Sequence, residues 1–510
     1  MTVFDPSEWL DRAVRDYPDR VFLSVVGGKV YTYADLRAES GRIAAALAGL
    51  GVEVGDRIAV RVEKSAEAVL LYVACLRLGA AFVPINVAYS PAEVEYFLTD
   101  SKPRVAVVDP EGLAMLAPLA SKAGVEHVVT LAPDGSGSLT DLARRADPAF
   151  APPGDLGVDS LAAIVYTSGT TGRSKGAMLT RGNLASNAAV LADSWRFGGD
   201  DVLLHVLPLF HVHGLFAAIN TVLASGSGMV LMSSKFDAAA VLSHLPRVTV
   251  FMGVPTHYTR LLQEAGLDRE ATARMRLFVS GSAPLLAETH QEFARRTGHE
   301  ILERYGMTET LMNTSNPYEG ARLPGAVGPP LPGVAVRVVN TQTGAIETRP
   351  DAIGTLEIKG PNVFAGYWQD EEKTLEEFTA DGWFKTGDLG KVDGNGYVHI
   401  VGRVKDLVIS GGYNVYPKEV ESELDALSGI AESAVFGVPH PDFGEGVTAA
   451  VVLRPGAKLS EADILDAVRS RLARYKLPKR ILLVEELPRN TMGKVQKNVL
   501  RAANTSLYAK

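Results

Sequence analysis

The sequence predicts an α/β protein of at least two domains, and three observations carry this prediction. Short apolar runs alternate with helix-like stretches through about the first 300 residues, which predicts βαβ units on largely parallel sheets. At 510 residues the chain exceeds the size at which one core keeps growing. From residue 406 onward roughly 105 residues carry helices and strands of their own. We expect a large N-terminal domain of two α/β subdomains plus a small β-barrel-like subdomain, followed by a small α+β C-terminal domain.

The first α/β subdomain is predicted from the opening third of the chain. Buried strands are predicted at Val21–Val26, Val105–Val108 and His127–Leu131, and helices at Tyr33–Leu50 and Ser65–Leu78. Cys75, the single cysteine, lies within the second, apolar helix and is predicted to be a packing residue. One cysteine excludes a disulfide within the chain and a cysteine zinc cluster.

The later elements complete the predicted architecture. The strand and helix alternation recurs from about residue 161 to residue 302, which predicts the second α/β subdomain. Between about residues 325 and 402 short strands separated by Gly, Pro and Asp predict a small antiparallel or barrel-like piece. The last segment predicts helices at Pro417–Ala426 and Glu461–Leu472 and strands at Ser433–Val438, Thr448–Leu453 and Arg480–Val484.

Charge and hydrophobic pattern argue against nucleic acid and membranes as partners of this chain. The net charge of −8 and a pI near 5.8 argue against nucleic acid. No apolar run is long enough to span a membrane, so no stable membrane association is expected. The N-terminal segment is acidic and amphipathic and lacks the basic start and apolar core of a secretory signal. A cytoplasmic protein is predicted.

Residues 166–176 predict a polyphosphate site, because they hold three glycines, five Ser/Thr hydroxyls and two cations. Glycines allow successive backbone N–H groups to converge on an anion, while hydroxyls and cations complete its coordination. The kinase and GTPase loop needs a second glycine where this chain has Ser174, and Ser or Thr where Lys175 is followed by glycine. A flexible linker is the other interpretation, but linkers rarely follow an apolar strand with this density of hydroxyls.

The segment Glu303–Thr310 follows a second strand-like pair and carries a carboxylate and a hydroxyl beside a glycine turn. Glu309 can hold Mg²⁺ through oxygen, and Thr308 can hydrogen-bond a phosphate. Read alone, the carboxylate could instead cap a helix. Together with the phosphate loop, it predicts the metal side of an ATP site.

Three further positions point to nucleotide contacts and domain movement. Asp388 follows a Thr-Gly turn and could accept both hydroxyls of a ribose, although an Asp in a turn more often caps its own backbone. Arg403, just before the predicted domain boundary, could reach the nucleotide, with a hinge beside it. Lys494 follows a glycine near the C-terminus, where a lysine is usually solvated. Its place on a Pro/Gly-containing loop suggests delivery by domain movement.

These motifs, in this order, resemble those of the adenylate-forming acyl-CoA synthetase and ligase superfamily, and the resemblance covers essentially the whole chain. It implies an AMP-forming acid–thiol ligase that activates a carboxylic acid with ATP and Mg²⁺ to an acyl-adenylate plus pyrophosphate. The acyl group then passes to a thiol, commonly that of CoA. The small-molecule partners implied are therefore the acid, ATP and CoA.

The resemblance also implies a role for each matching residue. The phosphate loop would comprise Thr167, Ser168, Gly169, Thr170, Thr171, Gly172 and Lys175, and the adenine would be framed by Ser282, Ala283, Pro284, Glu303, Arg304 and Tyr305. Thr308 would contact the α-phosphate, Glu309 the magnesium, and Asp388 the ribose with Arg403 nearby. Lys494 would bridge the substrate carboxylate and the α-phosphate, where a positioned cation offsets charge crowding.

The same resemblance implies two poses of the C-terminal domain. Residues 1–402 would form the N-terminal adenylation domain, 403–405 the hinge and 406–510 a mobile lid. The hinge residue would be Lys405, where many relatives carry Asp. In the rotated pose Ser410, Gly411 and Gly412 would line the tunnel of the pantetheine arm, because small residues let a thin thiol arm pass.

Within the superfamily, the segments at 208–215, 253–260, 279–285 and 305–312 most resemble malonyl-CoA synthetases. Polar candidates around the acyl group are His211, His213 and Arg260. A second carboxylate in a closed site needs a cation, and arginine supplies two parallel hydrogen bonds. Arg260 is the predicted partner, with Arg322 as a weaker second. Val212, Met307 and Ser282 would tune the volume of the acid site.

Several alternatives stay open at this stage. Arg260 could be a solvent-facing helix arginine, and His211 could shape the site without touching substrate. One methyl group is worth only about 1–3 kcal/mol of discrimination, so methylmalonate could also be accepted. Oxalyl-CoA synthetases share the Phe-His-Val-His-Gly type of segment. A fatty or aromatic monoacid, or the thiol of a carrier protein in place of CoA, would also fit the chemistry.

Overall fold

The computed structural model describes residues 5–154, 156–167, 174–232, 235–490 and 493–509. The chain divides into two compact units. The larger consists of Met1–Ala335 and Ile358–Phe384, and the smaller of Val336–Glu357 and Lys385–Lys510. This division groups most of the β-rich segment with the C-terminal residues, whereas the sequence predicts a boundary at 403–405. That boundary stays a prediction.

The first part of the larger unit shows the predicted alternation. Its elements are α1 Pro6–Asp16, β1 Val21–Val25, β2 Val30–Thr32, α2 Tyr33–Gly49, β3 Arg57–Arg61, α3 Ala66–Leu78, β4 Ala81–Pro84, α4 Pro91–Ser101, β5 Val105–Val108, a 3₁₀ turn Pro110–Gly112, α5 Leu113–Lys122, β6 His127–Thr130 and α6 Ser138–Arg145. Local chemistry sets the ends of these elements. Thr32 and Asp35 form a reciprocal capping box at the start of α2, and Gly79 ends α3 with a φ of 77°. Cys75 is fully buried in α3, as predicted.

The alternation resumes after residue 160. The elements are β7 Leu161–Thr167, β8 Lys175–Thr180, α7 Arg181–Ser194, β9 Val202–His205, a π-helix His213–Asn220, α8 Thr221–Ser225, β10 Gly228–Leu231, α9 Ala238–His244, a 3₁₀ turn Leu245–Arg247, β11 Val250–Gly253, α10 Pro255–Leu261, β12 Leu277–Ser280, α11 Ala287–Thr297, β13 Leu302–Met307 and β14 Leu311–Ser315. Because π-helical geometry is rare and often marks functional sites, the segment after β9 is notable.

The remaining elements are short strands followed by a mixed C-terminal region. They are β15 Ala335–Val339, β16 Ile346–Glu347, β17 Gly354–Lys359, β18 Gly366–Tyr367, α12 Glu371–Glu377, β19 Phe384–Val392, β20 Val398–Arg403, a 3₁₀ turn Val404–Asp406, β21 Val408–Ser410, β22 Tyr413–Val415, α13 Pro417–Asp425, β23 Ile430–His440, β24 Gly444–Leu453, α14 Glu461–Arg469, β25 Arg480–Leu483 and α15 Lys497–Ala503.

Two largely parallel sheets form the larger unit. One has the order β14-β13-β12-β11-β9-β10-β1-β2, parallel from β13 to β1 with antiparallel edges. The other has the order β18-β8-β7-β4-β3-β5-β6, parallel from β7 to β6. One apolar core contains side chains from both sheets. Ligands of such sheets bind beyond the carboxyl ends of the strands, which here are the ends of β9, β11, β12 and β13.

The smaller unit contains two five-stranded sheets. The first, in the order β16-β15-β17-β19-β20, is the β-rich piece that the sequence predicts. The second has the order β22-β21-β24-β23, with β25 added in parallel to β24. Helices α13 and α14 cover this second sheet through an apolar cluster that includes Val420, Val435 and Ile464. The predicted α/β protein with a large first part and a small α+β last part is confirmed.

Candidate active site

The two ends of the predicted phosphate loop are held together by β-sheet pairing. Thr167, the last residue of β7, pairs with Lys175, the first residue of β8. The tyrosine Tyr96 on α4 donates a hydrogen bond of 2.8 Å to the carbonyl oxygen of Ser174. The loop residues Ser168, Gly169, Thr170, Thr171 and Gly172 lie outside the described residues. The flanking residues are therefore fixed by the sheet itself.

Glu309 lies beside these loop ends and is 7% exposed. Its Oε1 atom accepts hydrogen bonds from the Thr167 hydroxyl, at 3.4 Å, and from the Tyr367 hydroxyl, at 3.1 Å. The Lys175 ammonium lies 5.4 Å from the centre of the Tyr367 ring. Burial and the Glu309 charge hold the pKa of Tyr367 far above its ordinary value, so its hydroxyl remains a donor. Two residues that the sequence predicts to hold ATP and Mg²⁺, Glu309 and Lys175, thus contact one tyrosine, and a third, Thr167, contacts Glu309.

The residues around Glu309 suit magnesium and do not form a protein-only metal cage. Within the described ranges, no three His, Cys, Asp or Glu side chains are arranged to hold a metal ion. Magnesium is usually bound by one or two carboxylates together with substrate phosphates and water. A single buried carboxylate beside the ends of a phosphate loop fits that donor set.

The predicted adenine frame combines the ends of β12 and β13. Glu303 pairs with Ser280 across these strands, and its Oε1 accepts a hydrogen bond of 3.1 Å from the Gly325 amide. Ser282 follows β12 with a φ of 70°, a left-handed conformation that is strained for a residue with a side chain. After it come half-buried Ala283 and exposed Pro284.

The remaining predicted residues of this edge lie in two segments. The half-buried Met307 ends β13, and the half-buried Thr308 lies in the turn that follows. Tyr305 within β13 is buried, and so is Val212, directly before the π-helix. Thr308 and Glu309 therefore share one turn, with Met307 at its start.

The histidines before and within the π-helix contact each other, and the second also contacts a residue just after β12. His213 is fully buried, and its Nδ1 lies 3.2 Å from the Ser282 hydroxyl. Burial and then the Arg304 charge hold the pKa of His213 well below its ordinary value, so it is neutral. The Nδ1 of half-buried His211 accepts a hydrogen bond of 3.2 Å from the His213 amide. A ring nitrogen that accepts a hydrogen bond carries no proton, so this contact leaves Nε2 as the His211 nitrogen that can donate.

Arg260, the predicted partner of a second carboxylate, is exposed in the last turn of α10. The Arg260 charge affects a neighbouring histidine. Burial, and after it the charge of Arg260, lower the pKa of His257 to about 3. The weaker candidate Arg322 donates to three backbone carbonyls, those of Glu300 at 2.7 Å, Tyr318 at 2.8 Å and Pro317 at 3.3 Å. Arg322 is thus engaged in holding its own loop, while the role of Arg260 stays a prediction.

Arg304, which the resemblance places in the adenine frame, has surroundings that the sequence did not indicate. Arg304 is only 4% exposed, and its Nε and Nη2 atoms have no hydrogen-bond partner among the described residues. Burial lowers the pKa of Arg304 to about 9. The guanidinium lies against Gly281, where an added Cβ would come within 2.4 Å of its Cζ. Neighbouring residues of a strand face opposite sides, so Arg304 points away from Glu303, whose Oε1 lies 3.5 Å from the His290 Nδ1.

The smaller unit gathers the other charged residues. Asp388, 3% exposed, pairs with Arg403 across β19 and β20, with 3.0 Å between the Arg403 Nε and the Asp388 Oδ1. Lys405 is exposed in the 3₁₀ turn that follows β20. Burial and then the Arg403 charge lower the pKa of Lys494 to about 8, and Asp388 partly offsets this effect. The predicted ribose, hinge and adenylation residues are thus electrostatically coupled within one unit.

The predicted pantetheine loop of this unit is a tight turn, and hydrogen bonds join the described residues on either side of the predicted lysine loop. Gly411 and Gly412 have φ of 60° and 80° and join β21 to β22, where Ser410 pairs with Tyr413. Positive φ at both central positions is the geometry of a type I′ turn, which favours glycine. Ser410 is buried and both glycines are exposed. In the second loop, the Asn490 side chain accepts a hydrogen bond of 2.9 Å from the Lys494 amide.

Comparison with protein families identifies the class that this fold and site define. Residues 10–368 match the family described as AMP-binding enzyme, and residues 419–494 match the AMP-binding enzyme C-terminal domain. The chain therefore belongs to the AMP-binding enzyme family.

Within that family the chain is similar to malonate–CoA ligases and to other CoA ligases. It is 39% identical to mouse malonate–CoA ligase ACSF3, mitochondrial, over 92% of this chain and 86% of the relative. It is 35% identical to feruloyl-CoA synthase of an Amycolatopsis species, over 93% of this chain and 94% of the relative. The crystal structure of ATP-bound MatB from Rhodopseudomonas palustris superposes with a TM-score of 0.96 at 54% identity, covering 99% of this chain and 100% of that chain.

Proposed function

We propose that this chain activates malonate with ATP to malonyl-adenylate and pyrophosphate, and then transfers the malonyl group to CoA with release of AMP. The observation that carries this proposal is the buried Arg304 guanidinium, whose Nε and Nη2 atoms have no hydrogen-bond acceptor among the described residues. Similarity to malonate–CoA ligases and to ATP-bound MatB supports it.

The physical argument starts from the cost of a buried charge. A cation removed from water without a partner is unfavourable by several kcal/mol, and a ligand carboxylate can offset that cost through charge-assisted hydrogen bonds. Arg304 lies on a strand whose carboxyl end borders the predicted ATP site, beside the neutral His213. A short acid with a second carboxylate therefore gains a contact that a monoacid lacks.

The first half-reaction joins two anions, and the chain supplies the groups that make this possible. A substrate carboxylate oxygen attacks the α-phosphorus, and the bond from that phosphorus to the pyrophosphate oxygen breaks. Magnesium, when bound, offsets the charge of the phosphates, and Glu309 is its proposed protein ligand. Lys494 is the proposed cation between the carboxylate and the α-phosphate.

The second half-reaction transfers the malonyl group from AMP to the sulfur of CoA. The thiolate of CoA attacks the acyl carbon of malonyl-adenylate, and the bond from that carbon to the AMP oxygen breaks. We propose that Ser410, Gly411 and Gly412 line the path of the pantetheine arm. Product formation that depends on CoA, with no acceptance of carrier-protein thiols, would support this choice of thiol.

A panel of acids tests the proposal directly. ATP–pyrophosphate exchange is measured with malonate, methylmalonate, oxalate, acetate, octanoate and benzoate. Malonate is expected to give the highest kcat/KM. Faster exchange with any monoacid than with every diacid would contradict the proposal, and a preference for oxalate would replace malonate with a shorter diacid.

The location of the protein is a separate proposal. None of the helices in the described ranges is long and apolar enough to cross a bilayer. A cytoplasmic location remains proposed, while the mouse relative is named as mitochondrial. Fractionation of the source cells would test it.

A further inference from the structure

Tyr367 makes contacts to two parts of the nucleotide site that are far apart in sequence. Its hydroxyl donates a hydrogen bond of 3.1 Å to the Glu309 carboxylate, and its ring centre lies 5.4 Å from the Lys175 ammonium. Glu309 follows β13, whereas Lys175 begins β8 at the end of the phosphate loop. We propose that Tyr367 is a positioning residue that presets the Glu309 carboxylate for a nucleotide-bound metal ion.

The hydrogen bond is suited to fixing a carboxylate. Tyr367 and Glu309 are each 7% exposed, so little water competes for the bond. The Thr167 hydroxyl donates to the same oxygen, Oε1, at 3.4 Å. Two donors that approach one oxygen from different strands restrict rotation of the carboxylate plane. Partners of this kind orient metal ligands in many sites.

Tyr367 is itself firmly placed by its surroundings. The short strand β18 pairs with β8, with Tyr367 opposite Ala177. The Tyr367 amide donates a hydrogen bond of 2.9 Å to the Thr374 hydroxyl, and the ring packs edge-on against Phe364 with 4.9 Å between centres. The hydroxyl therefore sits on a rigid support, as a group that must aim a metal ligand requires.

The ring and the hydroxyl can be separated by mutation. In Tyr367→Phe the ring is retained, so packing and the contact with Lys175 remain, and only the hydrogen bond to Glu309 is lost. The inference rests on the adenylation half of the proposed function and is independent of which acid is used.

The test measures how much magnesium strengthens nucleotide binding. The affinity of the full-length enzyme for α,β-methylene-ATP is measured by calorimetry with Mg²⁺ and with EDTA, and the ratio of the two Kd values gives the metal-dependent gain. Tyr367→Phe should reduce this gain by about tenfold or more, the range expected when a partner of a metal ligand is removed. The Kd in EDTA should stay within about twofold of the wild type, because the hydroxyl acts through the metal.

A matched control is available in Tyr31→Phe. Tyr31 donates a hydrogen bond of 3.0 Å to Glu67, so this variant removes the same chemical pair in a different part of the larger unit. It should leave the metal-dependent gain unchanged. An unchanged gain in Tyr367→Phe, or an equal loss of affinity in EDTA, would overturn the positioning role. A wild-type enzyme with no metal-dependent gain would instead overturn the metal assignment of Glu309 as well.

Discussion

At the scale of the residue, Arg304 is the side chain whose role is tested most simply. In Arg304→Met, the ratio of kcat/KM for malonate to that for monomethyl malonate should fall at least about 30-fold, because losing one partner of a buried charge pair costs about 2–5 kcal/mol. The ratio compares two acids on the same variant, so reduced folding cancels. Initial-rate kinetics with both acids provide the measurement.

The exposed Arg260 serves as the comparison for this variant. Arg260→Met should change the same ratio only slightly, since its side chain lies at the surface. A larger effect at Arg260 than at Arg304 would restore the original assignment of the second carboxylate. An equal loss of kcat/KM for both acids would mean that Arg304 stabilises the strand and does not contact the second carboxylate.

Lys494 is expected to act in only the first of the two proposed half-reactions. Lys494→Ala should abolish adenylate formation, because no cation then offsets the charge between carboxylate and phosphate. Thioester formation from supplied malonyl-adenylate should be largely retained. ATP–pyrophosphate exchange and a single-turnover thioester assay measure the two steps, and equal loss of both would refute this division.

The environment of Lys494 also gives a pH dependence with a definite sign. Burial and Arg403 lower its pKa to about 8, so the side chain is cationic below that pH and neutral above it. Adenylation should therefore decline as pH rises through about 8, and thioester formation should not share this decline. Lys494→Arg, which stays charged, should lose the decline if it retains activity. The same decline in thioester formation would point to another group.

At the scale of the element, the close approach of β12 and β13 makes Gly281 a specific requirement. An added Cβ would lie 2.4 Å from the Arg304 Cζ and 2.6 Å from its Nε, so the guanidinium would have to move. Overpacking of this kind costs about 1–3 kcal/mol, and Gly281→Ala should raise the KM for malonate about 5- to 150-fold. Steady-state kinetics with saturating ATP provide the measurement.

Gly49→Ala is the matched control, because a Cβ at Gly49 would meet no atom within 4 Å. It should leave the KM for malonate unchanged. A Gly281→Ala enzyme with normal malonate kinetics would show that Arg304 can shift without loss and would weaken its assignment.

Most elements were predictable from local sequence, whereas the site depended on tertiary contacts. Helix α2 was expected at Tyr33–Leu50 and spans Tyr33–Gly49, because a capping box and apolar periodicity are both local signals. The burial of Arg304, with no acceptor for its Nε and Nη2 among the described residues, could not be recognised in this way, since it depends on strands β9 to β13 coming together. The hydrogen bond from Tyr367 to Glu309 joins residues 58 positions apart and leaves no pattern in the sequence.

At the scale of the whole molecule, the chain divides into two compact units, and the proposed function has two half-reactions. The predicted hinge residue Lys405 lies in a short 3₁₀ turn and is exposed. Lys405→Pro would restrict the backbone there, since proline fixes φ near −65°. Adenylation should persist and thioester formation should fall at least about tenfold, as expected for a gating step. Equal rates in both assays would place the hinge elsewhere.

If Arg304 meets the second carboxylate as proposed, its Nε and Nη2 atoms, which have no acceptor among the described residues, determine how other acids are excluded. A competing monoacid need not be too large to enter. On binding, it would shield the Arg304 guanidinium from water without supplying a carboxylate to pair with it. A monoacid would then be excluded by the cost of an uncompensated buried charge and not by a steric clash. An acid site of this kind would accept acids of somewhat different length or branching, provided that they carry a second negative charge. It also offers a simple route for redirecting the enzyme, since neutralising one side chain would remove the penalty while leaving the space for the acid in place.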